Sequence, residues 1–183
     1  MPGYLTSRRN FITGIGASVI IPAAAARAQS DARSPLAALW QGISLVDSKD
    51  NDFSIKSTGK PLTLVKLWAN WCPVCLSEID QLSSLVAAVG PQTMEVILVS
   101  HPNWWEADQD AAKRRQIKFR LATPGEDNSP SRVNAALMNA NGLYAVPRTM
   151  VFSNAGEDVV LAHQGAMDWT DDSVVSQLKS ALA

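Results

Sequence analysis

Sulfur and imidazole are scarce in this chain. Its 183 residues include two cysteines and two histidines. Two cysteines exclude a scaffold stapled by several bridges. Structural zinc needs four ligands, usually two C-x-x-C pairs or one pair with closely spaced histidines. Here only His101 and His163 remain, and they lack that spacing. Positive charge is also sparse. The first 28 residues hold Arg8, Arg9 and Arg27 and no acid; beyond them stand 13 basic and 17 acidic residues, a net charge of −4. That balance excludes the basic stripe needed to bind nucleic acid. Lys113-Arg114-Arg115 is one short cluster. The N-terminal apolar run, Phe11 to Ile21, falls short of the roughly 20 residues of a membrane span, and Gly14 and Gly16 weaken it.

What the chain does have is concentrated. Both cysteines fall in Trp71-Cys72-Pro73-Val74-Cys75, between an apolar run and a helical pattern. Near the N-terminus, Ser7-Arg8-Arg9-Asn10-Phe11-Ile12 opens an export signal. Paired arginines precede the apolar run, and Ala26-Arg27-Ala28 fits an A-x-A cleavage site. Ser-Arg-Arg-x-Phe-Ile resembles the twin-arginine motif; a short membrane anchor, or an ordinary secretory signal that holds two arginines, is the alternative. The expectation is a signal over residues 1–28, one domain over 29–183, no stable membrane insertion after cleavage, and a periplasmic location. A lone dithiol in an oxidising compartment needs a reason.

Ser34-Pro35 starts a helix that Gly42 ends. Ile43 to Val46 reads as a short edge strand, and Phe53-Ser54-Ile55 as a possible two-stranded fragment. Leu62 to Ala69 is apolar on both faces, as in a buried strand. Leu76, Ile79, Leu82, Leu85, Val86 and Val89 recur at helical spacing over residues 75–89, and Gly90-Pro91 stops them. Met94 to Ser100 is a second buried strand, completing a βαβ unit. Residues 106–117 read as a helix with Glu106, Asp108 and Asp110 first and bases last, an order that suits the helix dipole. Phe119 to Ala122 is a third strand and Ser131 to Asn139 a short helix. Arg148 to Ser153 and Asp158 to His163 form a hairpin, and Thr170-Asp171-Asp172 caps a last helix. The fold class is α/β, with a mixed central sheet and helices on both faces.

Two cysteines at i and i+3 on a first helical turn are close enough to bridge. Cys72, at the helix N-terminus, meets unpaired N–H groups and the positive dipole end, which favour its thiolate. Cys75, one turn further in, is the buried partner. Cys72 attacks a substrate disulfide, and Cys75 then resolves the mixed disulfide; reversed, the pair oxidises dithiols. Haem attachment would need histidine where Leu76 stands. A structural bridge closing so small a loop stabilises little.

Trp68-Ala69-Asn70-Trp71-Cys72-Pro73-Val74-Cys75 resembles the W-A-x-W-C-x-x-C signature of thioredoxin-fold proteins. The export signal, and Glu78 three residues after Cys75, resemble the TlpA-like thiol–disulfide oxidoreductases of bacteria. Val146-Pro147-Arg148-Thr149-Met150-Val151-Phe152 is similar to the family's second signature. The resemblance spans about residues 40–183. It implies a thioredoxin-like fold, a cis Pro147 facing Cys72, and no organic cofactor. It implies protein partners carrying disulfides or dithiols, such as apocytochrome or copper-site cysteines, and a membrane electron donor. A cis proline leaves the Val146 backbone unpaired beside the dithiol, where an extended substrate adds as a strand.

Three positions depart from that pattern. Lys66 stands where relatives carry Asp or Asn beneath the site, and either lowers the Cys75 pKa, is itself driven towards neutrality, or snorkels outward. Arg148 replaces a threonine and either favours the Cys72 thiolate, selects acidic substrates or faces solvent. Ile79-Asp80 replaces x-Pro, so a helix kink is lost. Glu78 is either a proton shuttle near Cys75 or an exposed helical acid. Trp104-Trp105 either docks a partner or packs on the following helix. The candidate catalytic residues are Cys72, Cys75, Pro147, Glu78 and Lys66, and the candidate substrate contacts are Trp71, Val146 and Arg148; no resident metal is expected. Pro73 and Val74 offer no charge or side-chain donor to a thiolate, which points to a dithiol reductase. An exported oxidase or isomerase, and a copper chaperone using Cys72, Cys75 and His163, are the alternatives.

Overall fold

The computed structural model describes residues 34–153 and 156–182. The expected signal over residues 1–28 lies outside them, as do the hairpin residues Asn154 and Ala155. In order the elements are α1 (Pro35–Gln41), β1 (Leu45–Asp47), β2 (Asp52–Phe53), a 3-10 turn (Ile55–Ser57), β3 (Leu62–Leu67), α2 (Pro73–Val89), β4 (Met94–Val99), a 3-10 turn (Pro102–Trp104), α3 (Trp105–Arg114), β5 (Arg120–Pro124), α4 (Pro130–Leu137), β6 (Arg148–Ser153), β7 (Asp158–Gln164) and α5 (Asp172–Ser180).

The strands form one mixed sheet in the order β2-β1-β5-β4-β3-β6-β7. β3, β4 and β5 run parallel, and the outer strands pair antiparallel. β3 occupies an interior position because its apolar residues fill both faces. Its alternation divides the core. Leu62, Leu64 and Trp68 pack with the buried faces of α2, α3 and α5. Val65 and Leu67 pack on the opposite face, with Trp40 of α1 and Ala136 and Leu137 of α4.

Two expectations near the N-terminal side are corrected. The strand expected at the edge, β1, is interior, held between β2 and β5. The two-stranded fragment stops at Phe53, because Ile55 turns inward, is fully buried and begins a 3-10 turn. α2 starts at Pro73, two residues before the apolar periodicity does. Proline's fixed φ suits a first helical position, and its missing N–H is not needed there. α2 also runs unbroken through Ile79-Asp80, as the absent proline implies. It ends at Gly90, whose φ of 125° lies where glycine is favoured.

Candidate active site

The loop from β3 to α2 delivers the dithiol to the C-terminal end of the parallel strands. Cys72 caps α2 with extended backbone, and its Sγ accepts the Cys75 N–H at 3.2 Å. The two form a disulfide with Cα atoms 5.3 Å apart. They are not equivalent. Cys72 is 7 % exposed at the helix tip, and Cys75 is 0 % exposed on the buried face. A substrate can therefore reach Cys72 and not Cys75. Before them, the Cys72 N–H closes a turn onto the Ala69 carbonyl at 3.1 Å.

Aromatic rings line the rim. Trp71 is half exposed and meets Trp104 edge-on, with centroids 5.4 Å apart. Trp104 also contacts His101 and Tyr144, at 5.0 and 5.4 Å. Of the adjacent tryptophans, Trp104 thus joins the rim while Trp105 opens α3. Tyr144, a residue the sequence reading passed over, bonds through its hydroxyl to the carbonyls of Trp68 (3.0 Å) and Val99 (2.9 Å), tying the ends of β3 and β4. Burial, with the nearby Asp108 charge, holds its pKa well above that of an ordinary tyrosine. Burial also lowers the pKa of His101.

Beneath Cys75 lies an ion pair. Lys66 is fully buried and donates to Glu78 Oε2 at 2.7 Å and to Thr149 Oγ1 at 3.2 Å. Strand alternation places Lys66 on the Leu64/Trp68 face, so it does not snorkel outward. Glu78 is 3 % exposed, one turn after Cys75 on the same face of α2, and is not the exposed acid that spacing alone allows. Its second oxygen accepts the Met167 N–H (2.9 Å) and the Trp169 indole N–H (3.1 Å). The Lys66 ammonium also lies 5.8 Å from the Trp169 ring centroid. Burial lowers the Lys66 pKa, and Glu78 offsets part of that shift. Sequence reasoning missed Trp169, whose only signal was a tryptophan in a polar loop ahead of a capped helix.

The Val146–Pro147 bond is cis. β6 runs antiparallel to β3 with Arg148 opposite Leu67, so Pro147 falls beside the segment leading to Cys72. The Val146 backbone is only half available, contrary to expectation. Its N–H donates to the Tyr144 carbonyl at 3.0 Å, leaving the carbonyl as the partner for an added strand. Arg148 is not brought to the dithiol. It alternates with Met150 and Phe152 towards the α1 face, is half-buried, and donates to Gln164 Oε1 at 2.8 Å. His163 is held elsewhere too, with Nε2 at 3.0 Å from the Ala166 carbonyl. Among the described residues no three His, Cys, Asp or Glu side chains converge on a metal position.

A family model described as Redoxin matches residues 23–182. The chain belongs to the Redoxin family. With its Cys72–Cys75 disulfide it is a thioredoxin-like thiol–disulfide oxidoreductase. No curated protein matches its sequence. Its fold is similar to that of MTB dsbF, at 19% identity and a TM-score of 0.58 over 79% of this chain and 97% of that one. It is similar to StoA from Bacillus subtilis, at 19% identity and 0.52 over 76% and 95%. It is also similar to a secreted Mycobacterium tuberculosis disulfide oxidoreductase homologous to E. coli DsbE, at 16% identity and 0.56 over 78% and 98%. These likenesses carry the thioredoxin fold. Among the described residues no helix is long and apolar enough to cross a membrane.

Proposed function

We propose that this redoxin is an exported, periplasmic reductase of protein disulfides, sent out by the twin-arginine-type signal over residues 1–28. The observation that carries the direction is the sparse support at the Cys72 sulfur. One backbone N–H, from Cys75, reaches it, and Pro73 has no N–H to add. A strong oxidant stabilises its reduced form. Pro73 and Val74 supply neither charge nor a side-chain donor for that purpose.

The Cys72 thiolate attacks one sulfur of a substrate disulfide, and the other sulfur leaves and takes a proton. Cys75 then loses its proton and attacks Cys72 Sγ, releasing the second substrate thiol. Two electrons and two protons pass to the substrate, and the enzyme is left as its disulfide. The Lys66–Glu78 pair is the polar group on the Cys75 side that relays the Cys75 proton. The Val146 carbonyl and the Trp71 ring hold the substrate strand. A membrane dithiol donor returns the electrons. Apocytochrome or copper-site cysteines are the substrate class in view.

Equilibration with a glutathione buffer tests the direction. The expected potential lies well below that of strong oxidants, and a value of about −120 mV would rule out reduction as the main role. Mixed disulfides trapped on Cys75→Ser would identify the substrates.

A further inference from the structure

Behind the Cys72 loop sits a charge that the mechanism above does not use. Asp108, in α3, is fully buried. Sequence order makes it one of three acids that favour the helix dipole. The structure instead places it on the inward stripe of α3 with Ala111 and Ala112. Its Oδ1 accepts two bonds from Asn70, the backbone N–H at 2.7 Å and the side-chain Nδ2 at 2.7 Å. Asn70 stands inside the turn that the Cys72 N–H closes onto Ala69. Among the described residues Asp108 Oδ2 has no hydrogen-bond partner, and no basic side chain pairs with the carboxylate.

The other ionisable groups near this loop do not compensate it. Tyr144 is kept protonated and His101 is biased towards its neutral form, both through burial. On the α2 side Lys66 and Glu78 neutralise each other. Asp108 is therefore a buried acid without a basic partner among the described residues, held to the segment that ends in Cys72.

We propose that Asp108 is a positioning residue that fixes the Asn70–Cys72 turn and, through its charge, disfavours the Cys72 thiolate, making the dithiol a stronger reductant. Two residues of chain and one short hydrogen bond put the carboxylate within roughly 10 Å of Cys72. At an effective protein dielectric of about 20, one charge at that range changes an ionisation constant about tenfold.

The inference rests on the dithiol exchange and not on its direction. The wild-type potential tests the direction, whereas the difference between wild type and variant tests Asp108. Asp108→Asn keeps an oxygen for Asn70 and removes the charge. Alkylation of Cys72 against pH should shift to lower pH by about a unit, and the equilibrium with glutathione should move about tenfold towards the dithiol, ~30 mV. A purely structural Asp108 would lower the melting temperature and leave both readouts within twofold of wild type, which overturns the proposal. Should Asp108→Asn not fold, Asp108→Ser serves: it also removes the charge and keeps an oxygen on a short side chain, so alkylation of Cys72 should again shift to lower pH by about a unit. An unchanged or upward shift there would equally overturn the proposal.

Discussion

The two faces of the sheet are built from the same strand and do different work. Val65 and Leu67 of β3 enter an apolar core with Trp40, Ile97, Met150 and Phe152, with half-buried Arg148 at its edge. Lys66, between them, enters the other face, which also receives Glu78 and Asp108. Both faces exclude water, yet among the described residues the deeply buried charged side chains, Lys66, Glu78 and Asp108, all lie on the face under α2, the one that ends at the dithiol. A charge in low dielectric is costly unless paired, and once paired it is sensitive to every change nearby. A thiol exchange that must move protons at a buried sulfur has use for such groups on one side only.

The largest break of this contrast is Lys66→Met. It leaves Glu78 buried without its cation, a loss of about 3–5 kcal/mol. Urea unfolding should show it, and the pH profile of insulin-disulfide reduction should change shape as well. The paired control is Leu67→Ala, one residue on and facing the other way. Its cavity costs about 2–5 kcal/mol. Its potential and pH profile should remain those of wild type, and a shift in either would erase the distinction between the faces.

Trp169→Phe probes the ionic face more gently. An aromatic ring is kept, with a small cavity where the five-membered ring stood, and Glu78 Oε1 loses the indole donor while retaining the Met167 N–H. A loss of about 1–3 kcal/mol is expected for the donor removed from a buried acceptor. No loss would show that Glu78 draws little from the loop before α5.

The same contrast explains what was legible in the sequence. The purely apolar features could be read by period: β3 and β4 as buried runs, and α2 through Leu82, Leu85 and Val89. The dithiol was legible because two cysteines at that spacing have few other uses. The ionic groups were legible only in part. The family resemblance singles out Lys66 and Glu78 but leaves each with a buried and an exposed reading, and Asp108 looks like an ordinary helix-dipole acid, since period places a side chain on a face and does not say what covers it. Asp108 left one trace, its place three and four residues before Ala111 and Ala112 on a helix whose other acids face out. Trp169 and Tyr144 lie in connections, where no periodicity applies and only tertiary packing gives them partners. The inward turn of Ile55 was hidden for the same reason.

The smallest effect is a pH dependence, and its sign follows from the depressed pKa of Lys66. Unfolded, this lysine titrates near 10.5; folded, burial brings it lower. Between those two values the unfolded chain binds the extra proton, so stability rises with pH across that window. Below the folded value both states are protonated and the dependence vanishes. Tyr144 acts oppositely. Its raised pKa keeps it protonated in the fold after the unfolded tyrosine has ionised, so stability falls above about pH 10. The two are separated by subtraction, because Lys66→Met retains Tyr144. Unfolding free energies of wild type minus those of the variant should climb as pH approaches 10.5 from below. If the two curves instead run parallel over that whole range, Lys66 is not held below its ordinary pKa, and the pair beneath Cys75 does not strain its proton.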